Sequence, residues 1–164
     1  MKTVDFCLFF GNFAPLKNNC FMKISIINGP NLNLTGQREP EIYGSQPLDS
    51  YLQLLAAAYP DVEFSFFQSN CEGAIIDEIH RVGFDSDGIV INAGAYAHYS
   101  LAIADALRSV PAPAVEVHIS NIYAREQARH HSVLAPASVG VIAGFGLDSY
   151  RLAVEALNAM HKNG

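Results

Sequence analysis

Lys23–Gly44 reads KISIINGPNLNLTGQREPEIYG. Its opening, Lys23-Ile24-Ser25-Ile26-Ile27, is short, rich in β-branched residues and alternating, which predicts a buried strand. The strand runs into Asn28-Gly29-Pro30-Asn31, a run of turn formers. A polar loop carrying Arg38 and Tyr43 follows, closed at Gly44, and a helix is expected from about Pro47. Strand, turn and helix in this order make the first unit of an α/β chain. In such a domain the loop after the first strand lies at the carboxyl edge of the sheet, where ligands bind. The loop therefore has two readings. It is a lid presenting one arginine and one tyrosine to a site, or it is ordinary surface.

The same pattern repeats along the chain. Leu48, Leu52, Leu55 and Ala56 recur at helical spacing and predict a helix over Pro47–Ala58. Val62–Phe67 reads as the second strand, ending in Gln68-Ser69-Asn70. Ile75, Ile76 and Ile79 mark a helix that stops near Gly83. Gly88–Ile91 is apolar throughout, as in the middle of a parallel sheet, and ends in Asn92-Ala93-Gly94. A helix over Ser100–Ser109 precedes a fourth strand, Ala114–Ile119. The polar stretch Tyr123–His131 is expected to hold a short helix. Val139–Ala143 reads as the fifth strand and Leu147–His161 as the last helix. Five strands alternating with helices predict an α/β fold, a flavodoxin-like three-layer sandwich with a five-stranded parallel sheet. Gly144-Phe145-Gly146 lacks the rest of a dinucleotide fingerprint and reads as a tight turn.

A single catalytic domain is expected over residues 22–164. Residues 1–21 have no periodicity, and Met22 directly precedes the first strand. They are expected to be a dispensable extension, either disordered or a mispredicted start. Phe6–Phe10 is apolar but short, follows Asp5 and has no obvious small-residue cleavage site, so a secretory leader is not expected.

Of the 164 residues, 50% are hydrophobic and 16% charged, which suits one compact domain. The net charge of −6 argues against a nucleic-acid partner. No apolar run reaches the roughly 18 residues of a membrane span. Cys7, Cys20 and Cys71 form no Cys-x-x-Cys pair, so a reduced, cytoplasmic setting is the simpler expectation. Cys71 is expected to be a buried, inert thiol rather than a nucleophile. The lysines are Lys2, Lys17, Lys23 and Lys162. None is available for a P-loop or for a Schiff base inside the domain.

Four strands end in asparagine-bearing loops: Asn28 and Asn31, Asn70, Asn92 and Asn121. Each is explicable by turn chemistry; together they line one sheet edge with neutral donors and acceptors. No aspartate cluster stands there, which argues against a phospho-signalling receiver. On the fourth strand Glu116, His118 and Ser120 are spaced at two-residue intervals and are expected on one face. A carboxylate behind a histidine favours the imidazolium and suits it to general acid work. The other reading is a histidine satisfied structurally. His98 and Arg129 in nearby loops favour a site. His98, His118, His130 and His131 lack metal-ligand spacing, so no metal is expected.

The segments INGPNLNL (Ile27–Leu34), REPEIYG (Arg38–Gly44), Gln68–Asn70 with Glu72-Gly73, INAGAYAHYS (Ile91–Ser100), EVHISNI (Glu116–Ile122) and AREQARHHSVLAP (Ala124–Pro136) together resemble the type II 3-dehydroquinate dehydratases of the shikimate pathway. The resemblance implies a flavodoxin-like subunit, dodecameric as a tetramer of trimers, without cofactor or metal. It implies anti elimination of water from 3-dehydroquinate through an enolate. Tyr43 would be the base with Arg38 its lid partner. His118 would be the general acid, oriented by Glu116, and Asn31 would hold a water at the enolate oxygen. Asn92, Ile119 and Ser120 would bind the substrate carboxylate, and His98 and Arg129 its hydroxyls. Asp105 matches an aspartate that in relatives reaches a neighbouring subunit's site. Cys71, Ala97, Tyr99 and Ala104 depart from common residues of the family; the last bears on the trimer contact. The alternative is a catalytically silent flavodoxin-like ligand-binding relative.

Overall fold

A computed structural model describes residues 21–36 and 46–163. Within that range the chain forms β1 (Met22–Asn28), α1 (Leu48–Ala58), β2 (Val62–Gln68), α2 (Glu72–Val82), β3 (Gly88–Asn92), α3 (Leu101–Arg108), β4 (Ala114–His118), β5 (Gly140–Ala143) and α4 (Asp148–Asn163). Every strand pair is parallel, in the order β2-β1-β3-β4-β5. This is the flavodoxin-like order, with its switch point between β1 and β3, so the expected fold class stands. The segment with Arg38 and Tyr43, and residues 1–20, lie outside the described residues.

Strand alternation sorts the core into two clusters. Ile24 and Ile26 of β1, Val90 of β3, and Val115 and Val117 of β4 pack under α1 and α4, against Leu48, Leu52, Leu55, Val154 and Leu157. Ile27, Ile89 and Ile91 face the other way, against Ile75, Ile79 and Val82 of α2 and Ile103 and Leu107 of α3. Helices thus cover both faces, which is why β3 is apolar at nearly every position. Helix ends follow local chemistry. The Ser100 hydroxyl accepts from the Ile103 N–H at 3.0 Å as the N-cap of α3, and such a cap contributes about 1 kcal/mol. Gly83 closes α2 with its N–H on the Ile79 carbonyl at 2.8 Å.

Three local features differ from expectation or sharpen it. The polar segment after β4 forms two 3-10 turns, Ile122–Ala124 and Gln127–Arg129. Gly144 and Gly146 have φ of 94° and 62°, the left-handed turn expected before the last helix. Gly29 is required by close approach. A Cβ there would lie 2.4 Å from the Ala93 carbonyl oxygen, and its N–H donates to the Asn92 carbonyl at 2.7 Å. The exit loops of β1 and β3 touch at this point. Gly29→Ala must part them, with an expected loss of about 1–3 kcal/mol or more, read from the midpoint of urea unfolding. An unchanged midpoint would mean the two loops move apart freely.

Candidate active site

The loops leaving β1, β3 and β4 meet at the carboxyl edge around a cavity that opens to solvent. On β4 the alternation sends Glu116 and His118 to the same face. Glu116 is fully buried and His118 is 6% exposed. A carboxylate can only accept, so His118 Nε2 donates to Glu116 Oε1, at 2.6 Å. Nδ1 is left for the cavity that the ring lines.

His98 stacks on His118, ring centroids 5.8 Å apart and planes 17° from parallel. Its Nδ1–H donates to the His131 carbonyl at 2.8 Å, which fixes the neutral tautomer with the lone pair on Nε2. Burial first, then His118 and Arg129, hold the His98 imidazolium below its usual pKa range, against the His131 hydrogen bond. A neutral acceptor therefore stands beside His118. Arg129 also lines the cavity and donates to Glu126 Oε1. The Arg129 guanidinium keeps the Glu126 carboxyl below its usual range.

Asn31 sits in the left-handed region, φ 65°, which asparagine tolerates. Its N–H donates to Asn70 Oδ1 at 2.9 Å, and Asn70 also accepts from Gln68 Nε2. Asn92 is held from below. Its Nδ2 donates to the Tyr150 hydroxyl at 3.0 Å, and that hydroxyl donates to Asn28 Oδ1 at 2.6 Å. Asn92 Oδ1 accepts from the Gly94 N–H. Burial pushes the Tyr150 phenol far above its ordinary range, so it is a neutral bridge.

Asn31, Asn92, His98, His118, Ile119, Ser120 and Arg129 all line the one cavity, and Glu116 lies directly behind His118. Asp105, expected at a neighbouring subunit's site, is outside the cavity lining; its side chain is 78% exposed on α3 and pairs with Arg108 at 3.0 Å. Two expectations need correction. Ser120 reaches the cavity from a bend, because β4 ends at His118 and the two-residue alternation stops there. Cys71 is exposed rather than buried, since it precedes α2 in a polar turn. Asn121 caps its own turn, accepting from the Tyr123 N–H. Three residues were missed. Arg125 lines the cavity; a second arginine four residues before Arg129 was the available signal. Tyr150 occupies a core position of α4, where a phenol needs a partner. Ser132 contacts Glu116, and no local spacing announces it. No group of three or more His, Cys, Asp or Glu side chains among the described residues is placed to hold a metal ion.

A buried carboxylate backing a histidine, in a cavity at the switch point of a flavodoxin-like sheet, defines an acid–base enzyme for a small polar molecule. Residues 22–158 match the family described as Dehydroquinase class II. The 3-dehydroquinate dehydratase of Carboxydothermus hydrogenoformans is 57% identical over 138 residues, spanning 83% of this chain and 90% of that protein. The crystal structure of a type II dehydroquinase from Butyrivibrio crossotus is 49% identical, with a TM-score of 0.81, and covers 84% of this chain and 97% of that one. The type II dehydroquinase from Propionibacterium acnes is 42% identical, with a TM-score of 0.80, over 84% and 96%. The chain belongs to the class II dehydroquinase family.

The Tyr150 bridge is testable alone. Tyr150→Phe keeps the ring and strands Asn92 Nδ2 and Asn28 Oδ1 without a partner. Each unsatisfied buried group costs about 1–3 kcal/mol, so a clear drop in urea midpoint is expected with little change in cooperativity. Wild-type stability would show that the bridge adds nothing.

Proposed function

We propose that this chain dehydrates 3-dehydroquinate to 3-dehydroshikimate by anti elimination through an enolate. The observation that carries the reading is the Glu116–His118 pair, at 2.6 Å, inside the cavity of a class II dehydroquinase. A base takes the proton beside the ketone, the ketone oxygen gathers charge, and an acid protonates the departing hydroxyl. His118 is that acid, through Nδ1, with Glu116 holding its ring. Tyr43 is the base and Arg38 the cation that lets a phenol of ordinary pKa ~10 ionise nearer neutrality. Support comes from elimination. No tyrosine among the described residues lines the cavity, and burial pushes Tyr51, Tyr59 and Tyr150 up, away from a base's role. Leu34 and Thr35 line the cavity just before the segment that carries Arg38 and Tyr43.

Asn31 holds a water at the enolate oxygen. Asn92 and the backbone N–H groups of Ile119 and Ser120 take the substrate carboxylate. His98 Nε2 accepts from one ring hydroxyl and Arg129 donates to another. No metal or cofactor takes part, and no nucleic acid. The domain is residues 22–164, with 1–21 outside it. The enzyme works in the cytoplasm; no described helix is long and apolar enough to cross a membrane. It assembles as a dodecamer, a tetramer of trimers, in which Asp105 serves a neighbour's site. The exposed face of α3, with Leu101 and Asp105 on it, supports that contact. A silent ligand-binding relative would have no use for the buried acid pair.

Purified protein given 3-dehydroquinate should develop the ultraviolet absorbance of the enone. His118→Ala should lower turnover about 10²–10⁴-fold, the span for a general acid, with binding changed less. Tyr43→Phe should lose more. Arg38→Ala should move the pH–rate profile upward, and the Tyr43→Phe, Arg38→Ala double variant should be little worse than Tyr43→Phe alone. Additive losses would place the base elsewhere.

His98 gives a pH signature. Its folded-state pKa lies below the ordinary 6.5, so the unfolded chain binds this proton first as pH falls. Above that value His98 contributes nothing to pH-dependent stability; below it the folded state is progressively disfavoured. Once protonated, Nε2 can no longer accept a hydroxyl. KM should rise as pH falls through the folded-state pKa of His98, which lies below 6.5, and His98→Gln should flatten that rise. An equal rise in the variant would remove His98 from binding.

A further inference from the structure

Ser132 lies 16 residues from Glu116 in sequence and outside any strand or helix, yet its hydroxyl is within hydrogen-bond distance of both carboxylate oxygens, at 2.7 Å from Oε1 and 2.9 Å from Oε2. The Leu134 and Ala135 N–H groups both point at that hydroxyl oxygen, at 3.1 and 3.2 Å. A serine hydroxyl has two lone pairs and one proton. With its lone pairs engaged, it can only donate. Two acceptors compete for the proton: the Glu116 carboxylate and the Ala97 carbonyl at 3.2 Å. The carboxylate is nearer and charged, which makes it the stronger acceptor. The Ala97 carbonyl is also already engaged by the Val133 N–H at 2.9 Å.

We propose that Ser132 is the positioning residue of the acid, a one-way donor that clamps the Glu116 carboxylate so that His118 presents Nδ1 to the substrate. The inference rests on the dehydratase reading of His118. Glu116 Oε1 then takes both the His118 Nε2–H and the Ser132 hydroxyl, with Oε2 also 2.9 Å from that hydroxyl, and turning the carboxylate disturbs both contacts. The same short segment steadies the second ring, because the His131 carbonyl holds His98 Nδ1 at 2.8 Å. One loop therefore sets the spacing of the stacked pair.

Ser132→Ala should lower kcat about ten- to a hundredfold, the worth of a hydrogen bond to a buried charge, with KM little changed. His98, Arg125 and Arg129, the other titratable groups that line the cavity among the described residues, are not altered by the substitution. In a Glu116→Gln background Ser132→Ala should add almost nothing. Additive losses, or a loss confined to KM, would make Ser132 merely a turn residue and overturn the proposal. Ser132→Cys keeps the shape with a weak donor and gives the same reading if the alanine variant fails to fold. A lowered kcat in the cysteine variant supports the clamp; wild-type kcat in it overturns the clamp. If the unaltered protein forms no enone from 3-dehydroquinate, the reading of His118 itself falls; if it does and the Ser132 variants match it, only the clamp falls.

Discussion

The parallel pairing of β1 with β3 is the constraint on which the site depends. Their last residues, Asn28 and Asn92, stand opposite each other, and the connections then leave in opposite directions, α1 to one face of the sheet and α3 to the other. Two chains that diverge from adjacent strand ends leave a crevice between them. Below that crevice the sheet is closed tightly. Gly29 lets the exit loops touch, and Tyr150, delivered from α4 near the end of the chain, ties both asparagines from beneath. The floor is therefore fixed by a local glycine and by a contact spanning 122 residues. The walls are free to carry chemistry.

Glu116 is the place where chemistry overrides packing. Its side of β4 faces the cluster of Ile75, Ile91, Ile103 and Leu107, and the neighbour on the same face is Ala114. An apolar side chain would suit that cluster better. A buried carboxylate costs several kcal/mol unless it is paired and hydrogen-bonded, and an apolar replacement is often no less stable. Its retention against the local pattern is what a functional residue looks like. The stacking with His98 adds a second constraint. Two imidazoles 5.8 Å apart repel if both are charged, and His98, partly buried beside Arg129, is the one disfavoured as a cation.

Much of the fold was legible because it rests on short-range patterns. Hydrophobic patterning located the five strands and four α-helices of the described residues to within a few residues, and the asparagines at strand ends marked the working edge. What could not be read depends on contacts across the fold or on where a strand stops. Ser120 was assigned by an alternation that ends two residues earlier, at His118. Cys71 was taken for core because cysteines are often buried, although it follows Gln68-Ser69-Asn70 in a turn. Ser132 and Tyr150 gain meaning only from partners 16 and 58 residues away.

Strand order also explains how an anti elimination fits this fold. In the proposed reaction the acid and the base must act on opposite faces of the substrate ring. The sheet runs β1-β3-β4 at the site, so the exits of β1 and β4 flank that of β3. The acid comes from β4, where Glu116 and His118 are fixed by strand geometry. Asn92 of β3 forms the floor between them. The opposite wall is the β1 exit, Pro30, Asn31, Leu32, Leu34 and Thr35, and the chain passes from there into the segment with Arg38 and Tyr43. A base on the β1 side, as proposed for Tyr43, would stand across the floor from His118. A base on the β4 side would share a face with the acid and favour syn loss of water. The order of the strands, set by right-handed crossovers, thus sets the β1 exit across Asn92 from the β4 exit, the arrangement that the proposed acid and base require.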